Sequence, residues 1–204
     1  MKHLILICTL LISSIVASQT LSSAEASEFK KKVVAKNKSI QTMQATFQQK
    51  KHLDFMSKDI ETFGEMAFSK PDRLNWQYNK PYKYRVVFNK DHITINDEGN
   101  VSQLKADNKV FKRINNLIVS SVSGDIFNGK EFTITLSKVG NKVLARLIPK
   151  DKTLLKYMSE IHLYLASDYT VDTVKLIEPS KDYTEIIFTN KRLNTPINDN
   201  IFKM

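Results

Sequence analysis

Cysteine is nearly absent from this chain: of its 204 residues only Cys8 is one. Cys8 sits in the first apolar run, where no small residue precedes it to mark a lipidated cysteine. A chain processed beyond it has no thiol, so disulfides, thiolate metal sites and a cysteine nucleophile are excluded, and stability must come from packing. Glycine and proline are also sparse, five each, and no repeat or long low-complexity linker divides the sequence. Acidic residues are outnumbered, 21 against 31 Lys and Arg, which leaves a formal charge of +10. Such a balance favours anionic surfaces. The one dense basic run, Lys30-Lys31-Lys32, reads as the solvated face of a helix, so no nucleic-acid partner is expected.

No apolar run reaches the ~20 residues a membrane span needs. The first run, Leu4 to Leu11 and on to Ala17, follows Met1-Lys2-His3 and is interrupted by Ser13-Ser14. It predicts a secretory signal peptide over 1–17, with Ala26 as a later cleavage candidate, and hence an exported, periplasmic protein. Removal of Lys2 would take the formal charge from +10 to +9. The remainder, 27–204, fits one domain with a real core.

Enzyme signatures are missing too. His52, His92 and His162 are far apart with no metal-ligand spacing, and no nucleophile elbow, Walker loop or Gly-x-Gly-x-x-Gly occurs. Asp97-Glu98-Gly99-Asn100 lacks the alternating acids of a calcium loop and predicts a hairpin turn. No catalytic residue, metal or cofactor is expected.

What the sequence does contain is alternation. An amphipathic helix is predicted from Ser27, placed as its cap, through Phe29, Val33 and Val34. Strands follow around Met43 to Phe47, Phe63 to Phe68, Leu74 to Tyr78, Tyr82 to Phe88 and Ile93 to Ile95. Others are expected around Phe132 to Leu136, Val143 to Ile148, Ile161 to Leu165, Val171 to Ile177 and Tyr183 to Phe188. Lys70-Pro71-Asp72 and Asn79-Lys80-Pro81 supply tight reversals. Short connections imply antiparallel neighbours, and a sheet this long must curl. Between the two strand groups Phe111, Ile114, Leu117, Ile118 and Val122 line one face of a predicted helix inserted mid-sheet. A further short helix is predicted over 153–158.

Alternate strand residues share a face. Leu74, Trp76 and Tyr78 are in phase, as are Tyr82, Tyr84, Val86 and Phe88, so one face is large and aromatic. It could be ordinary core, but a curved sheet under an amphipathic helix can also enclose a ligand cavity. An α+β fold follows, a strongly curved antiparallel sheet around an apolar pocket. Its lining candidates are Phe47, Met66, Phe68, Leu74, Trp76, Tyr78, Val86, Phe88, Ile93 and Ile95.

The run Phe47-Gln48-Gln49, with Gly64-Glu65-Met66-Ala67-Phe68-Ser69-Lys70-Pro71-Asp72-Arg73-Leu74-Asn75-Trp76-Gln77-Tyr78-Asn79-Lys80-Pro81, resembles the N-terminal half of LolA-type periplasmic lipoprotein carriers. The likeness is clear over 27–99. It implies an incomplete β-barrel with a helical lid, in which Leu74 and Trp76 fall on the lipid-binding face. It implies a monomeric carrier of lipoproteins, with an inner-membrane ABC transporter complex and an outer-membrane acceptor as partners. Where the family places an Arg that helps to hold the lid, this chain has Lys70, which keeps the charge without the planar fork of donors. Lys70 is therefore the lid-latch candidate, built differently. A carrier of another acyl lipid or glycolipid, and a protein-binding sensor or scaffold of the same fold, remain open.

Overall fold

A computed structural model describes residues 19–89, 92–105 and 125–204. Twelve strands form one antiparallel sheet: β1 (Gln19–Thr20), β2 (Thr42–His52), β3 (Ile60–Ser69), β4 (Arg73–Lys80), β5 (Tyr84–Asn89), β6 (His92–Asp97), β7 (Asn100–Lys105), β8 (Phe132–Val139), β9 (Lys142–Pro149), β10 (Glu160–Leu165), β11 (Val171–Ile177) and β12 (Tyr183–Leu193). Their order is β1-β8-β9-β10-β11-β12-β2-β3-β4-β5-β6-β7. The edges β1 and β7 do not pair with each other, so the sheet curls as an incomplete barrel and stays open. Its central seam joins the two strand groups, with Phe188 opposite Phe47 and Ile186 opposite Gln49.

Helix α1 (Ser23–Ser39) starts earlier than the sequence suggests. Its N-cap is Ser22, not Ser27. The Ser22 hydroxyl accepts from the Glu25 N–H while the Glu25 carboxylate accepts from the Ser22 N–H, a capping box that satisfies donors the first turn would otherwise leave open. Ser27 is one turn further in. Residues before Ser27 thus belong to the fold, and β1 pairs with β8 through Gln19–Lys138 and Thr20–Ser137. The short helix predicted over 153–158 is α2 (Lys152–Leu155), capped by the Asp151 carboxylate.

The hairpin turns form as their residues dictate. Glu98 and Gly99 both have positive φ, 50° and 102°, the requirement of a two-residue turn that matches strand twist. Pro71 and Pro81 both follow cis peptide bonds. The fifth strand begins at Tyr84, so Tyr82 stands in the preceding turn rather than in the strand.

Apart from a smaller cluster of Ala67, Val87 and Phe202 on the other face, the buried side chains separate into two clusters under the concave face. One, beneath α1, is built on Val33, Phe127, Phe132, Leu147, Leu163 and Leu165. The other, over β2 to β6, is built on Ile40, Phe68, Leu74, Phe88 and Ile93. A domain of this size ordinarily has one contiguous core. Here something lies between the halves.

Candidate functional site

A cavity of about 350 Å³ separates the two clusters. Register brings its walls together. Met66 of β3 faces Trp76 of β4, which faces Val86 of β5. On the other side of the seam Thr184 of β12 faces Leu176, Ile186 faces Val174, and these continue to Ile161 and Leu163 of β10. The cavity runs from Asn37 and Ile40 at the end of α1, beside Thr170 and Val171, to Gln49, Tyr78 and Tyr84 towards the opposite end of the sheet.

Aromatic packing shapes the β2–β5 wall. Trp76 stacks on Phe47 with centroids 4.3 Å apart and planes at 24°, and meets Phe188 edge-on at 6.1 Å. Gly64 makes this possible. A Cβ there would stand 2.1 Å from the Gln77 carbonyl oxygen and 2.5 Å from the Phe47 ring, so only glycine lets Phe47 lie flat across the strand.

No charged side chain lines the cavity among the described residues. The Tyr78 hydroxyl donates to Gln49 Oε1 at 3.0 Å, and burial pushes its phenol above the usual value. Tyr84 is raised as well, chiefly by burial and then by Asp97. Both stay neutral at ordinary pH. The lining thus offers hydroxyl and amide groups at a few points and hydrocarbon elsewhere. Such a surface can withdraw an apolar ligand from water but has no base to move a proton. No group of three or more His, Cys, Asp or Glu able to hold a metal lies among the described residues.

Five of the ten candidates read from the sequence line this cavity: Met66, Trp76, Tyr78, Val86 and Phe88. Phe47 lies behind Trp76. Phe68, Leu74 and Ile93 are 1%, 0% and 1% exposed and belong to the core beneath, while Ile95 packs against the edge of that core. Sharing a face with Trp76 was legible for Leu74; depth was not. The lid residues Phe111, Ile114, Leu117, Ile118 and Val122 lie outside the described residues. Lys70 is placed: its ammonium donates to the carbonyl oxygens of Asn37 at 3.1 Å and Lys38 at 3.0 Å. A cation on the last carbonyls of α1 caps that helix and complements its dipole. Sequence reasoning missed the opposite wall, where Val174, Leu176, Ile186 and Phe188 line the cavity. Their in-phase alternation was the available signal.

The family model described as outer membrane lipoprotein carrier protein LolA matches residues 38–204. The chain belongs to the LolA family. No curated protein sequence matches it. Among solved structures this LolA-family chain is similar to MucB, at 16% identity and a TM-score of 0.52, over 88% of this chain and 63% of that one. It is similar also to MucB in the MucA/MucB complex of Pseudomonas aeruginosa, at 12% identity and a TM-score of 0.50, over 87% of this chain and 60% of that one. A LolA superfamily protein from Nitrosomonas europaea matches at 9% identity and a TM-score of 0.45, over 88% and 97%. At such identities the likeness to MucB is one of fold, and this chain spans less than two thirds of the MucB chain. Membership of the LolA family places the cavity in a carrier and binding fold and accords with an extracytoplasmic protein.

Proposed function

We propose that the chain is a periplasmic carrier that takes the acyl chains of lipoproteins into this cavity and conveys them from the inner to the outer membrane. The observation that carries the reading is the uncharged cavity splitting the core. Each methylene moved into it from water is worth about 0.8 kcal/mol, so affinity follows from chain length with no cofactor, metal or nucleotide. Gln49 accepts from Tyr78, which leaves its amide N–H groups to donate to an ester or amide carbonyl at the head of an acyl chain. The family's description supports lipoprotein as the cargo. An inner-membrane ABC transporter complex as donor and an outer-membrane acceptor belong to the same reading, as does a monomeric state.

In this cycle the segment bearing Phe111, Ile114, Leu117, Ile118 and Val122 packs over the cavity when empty and yields to cargo. If closure and loading bury similar apolar areas, cargo is handed on without energy input at the carrier. Processing after Ala17 suits the reading: it retains β1 and the Ser22 cap, whereas cleavage after Ala26 would remove both.

Mass spectrometry of material extracted from protein isolated from the envelope tests the cargo. Triacylated polypeptide is expected; a free acyl lipid or glycolipid in its place contradicts the lipoprotein assignment while keeping the pocket. A second reading, a protein-binding sensor domain, draws on the fold likeness to MucB, whose complex with MucA is known. It predicts no acyl material at all and a stable stoichiometric protein complex.

A further inference from the structure

The end of the sheet towards which Gln49, Tyr78 and Tyr84 point is built from connections that sheet order places side by side: the α2–β10 link, the β11–β12 turn, the β2–β3 turn and the β4–β5 turn. The Asp54 N–H donates to the Asp182 carboxylate at 2.8 Å, which ties the two middle turns together. Along this arc stand Tyr157, Phe55, Met56, Ile60 and Tyr82, exposed by 69%, 83%, 38%, 41% and 41%. Phe63, on the first residues of β3, joins them. The other large hydrophobic side chains left exposed among the described residues are Val101 and Leu104 on edge strand β7, and Met204. Exposed apolar surface is therefore concentrated at one end, and it reaches the cavity directly, since Tyr82 lies 5.9 Å from the cavity residue Tyr78.

Charge follows the same arc. Lys58, Lys80, Lys83, Lys156 and Lys181 are exposed there. Several of the arc's acids are engaged within the protein: Asp59 with His52 at 2.8 Å, Glu61 with Lys50 at 3.5 Å, and Asp182 with Asp54 and Ser180. Asp54 and Glu178 remain, with Asp97 and Glu98 of the adjoining β6–β7 turn, where the Glu98 N–H donates to the Lys83 carbonyl oxygen at 3.1 Å. Aromatic and aliphatic tips set among lysines are the composition of a surface that enters the headgroup layer of an anionic bilayer: the apolar tips leave water and the ammonium groups meet phosphates.

We propose that this rim docks on a membrane surface rich in anionic phospholipid, with Phe55 and Tyr157 entering the interface, so that the cavity opens against the bilayer. The inference goes beyond the carrier reading and stands without it, because it concerns the rim and not the cavity. Flotation with vesicles of phosphatidylethanolamine containing a minority of phosphatidylglycerol tests it. The protein is expected to float with these vesicles, less so as salt screens the lysines, and poorly with vesicles of phosphatidylcholine alone. A Phe55→Ser/Tyr157→Ser double variant should lose roughly tenfold in bound fraction. Leu104→Ser on β7 should float as the unmodified protein does, and so should Trp76→Glu, which alters the cavity and leaves the rim intact. Failure of the unmodified protein to float, or undiminished flotation of a folded double variant, overturns the proposal. A double variant that floats normally yet no longer takes cargo from membranes also overturns it, and assigns the rim to a protein partner instead.

Discussion

Single residues decide whether the wall of the cavity exists. Gly64→Ala would set a Cβ against the Gln77 carbonyl oxygen and the Phe47 ring, and overpacking of this kind costs about 1–3 kcal/mol or more. Since Phe47 supports Trp76, the substitution should lower the melting temperature and displace the indole together. Leu74 and Trp76 are two residues apart on one face and should part company when replaced by Glu. Leu74 is fully buried, where an unpaired carboxylate is strongly destabilising, so Leu74→Glu should fail to fold. Trp76→Glu, at the cavity surface, should keep the circular dichroism spectrum and lose acyl binding. The alternation rule places both side chains on the concave face, yet only the neighbouring strands determine which is covered. On the outer face, the hydrogen bond from the Arg146 Nε to Glu160 at 2.6 Å, helped by His162, holds the Glu160 carboxyl down to about 2 against the ordinary 4.5. A folded value below the unfolded one stabilises fully above about pH 4.5 and is lost as pH falls towards 2. At this partly exposed site the effect is at most about 1 kcal/mol. Glu160→Gln should therefore lower stability at neutral pH by up to about that amount, flatten the acid limb of the curve, and leave the two proteins alike near pH 2.

At the scale of elements, α1 is held at both ends by residues whose roles were unequally legible. The Ser22–Glu25 box ends where helix meets strand, and Ser22→Ala should cost about 1 kcal/mol, read as a shift in denaturant midpoint. The sequence alone points to Ser27 as the cap, because neither β1 nor the reach of Glu25 back to Ser22 is visible there. Lys70 acts 33 residues from Asn37 in the chain, a contact only the folded sheet can supply. Lys70→Ala should loosen the last turn of α1, seen as faster amide exchange near Lys38, whereas Lys70→Arg should restore most of the protection. Ten strands were readable from alternation and turn chemistry. The two edge strands were not: β1 has two residues, and in β7 Val101 and Leu104 fall on opposite faces. The polar half of β2, Gln48 to His52, is a strand because Tyr183 to Ile187 and Ile60 to Phe63 pair with it.

For the whole molecule, antiparallel order and curvature were implied by short connections and strand number, and the family resemblance named the topology. What no local pattern could show is that the core under the concave face comes in two parts, because a cavity is a property of how two walls meet. Trp76 is the chain's only tryptophan and stands on that cavity, so its fluorescence reports occupancy directly. Titration of the purified protein with a triacylated lipopeptide should shift Trp76 emission to the blue and saturate, with a matched peptide lacking acyl chains giving no change. Emission that stays unaltered while the lipopeptide is added in excess would contradict an acyl-binding cavity.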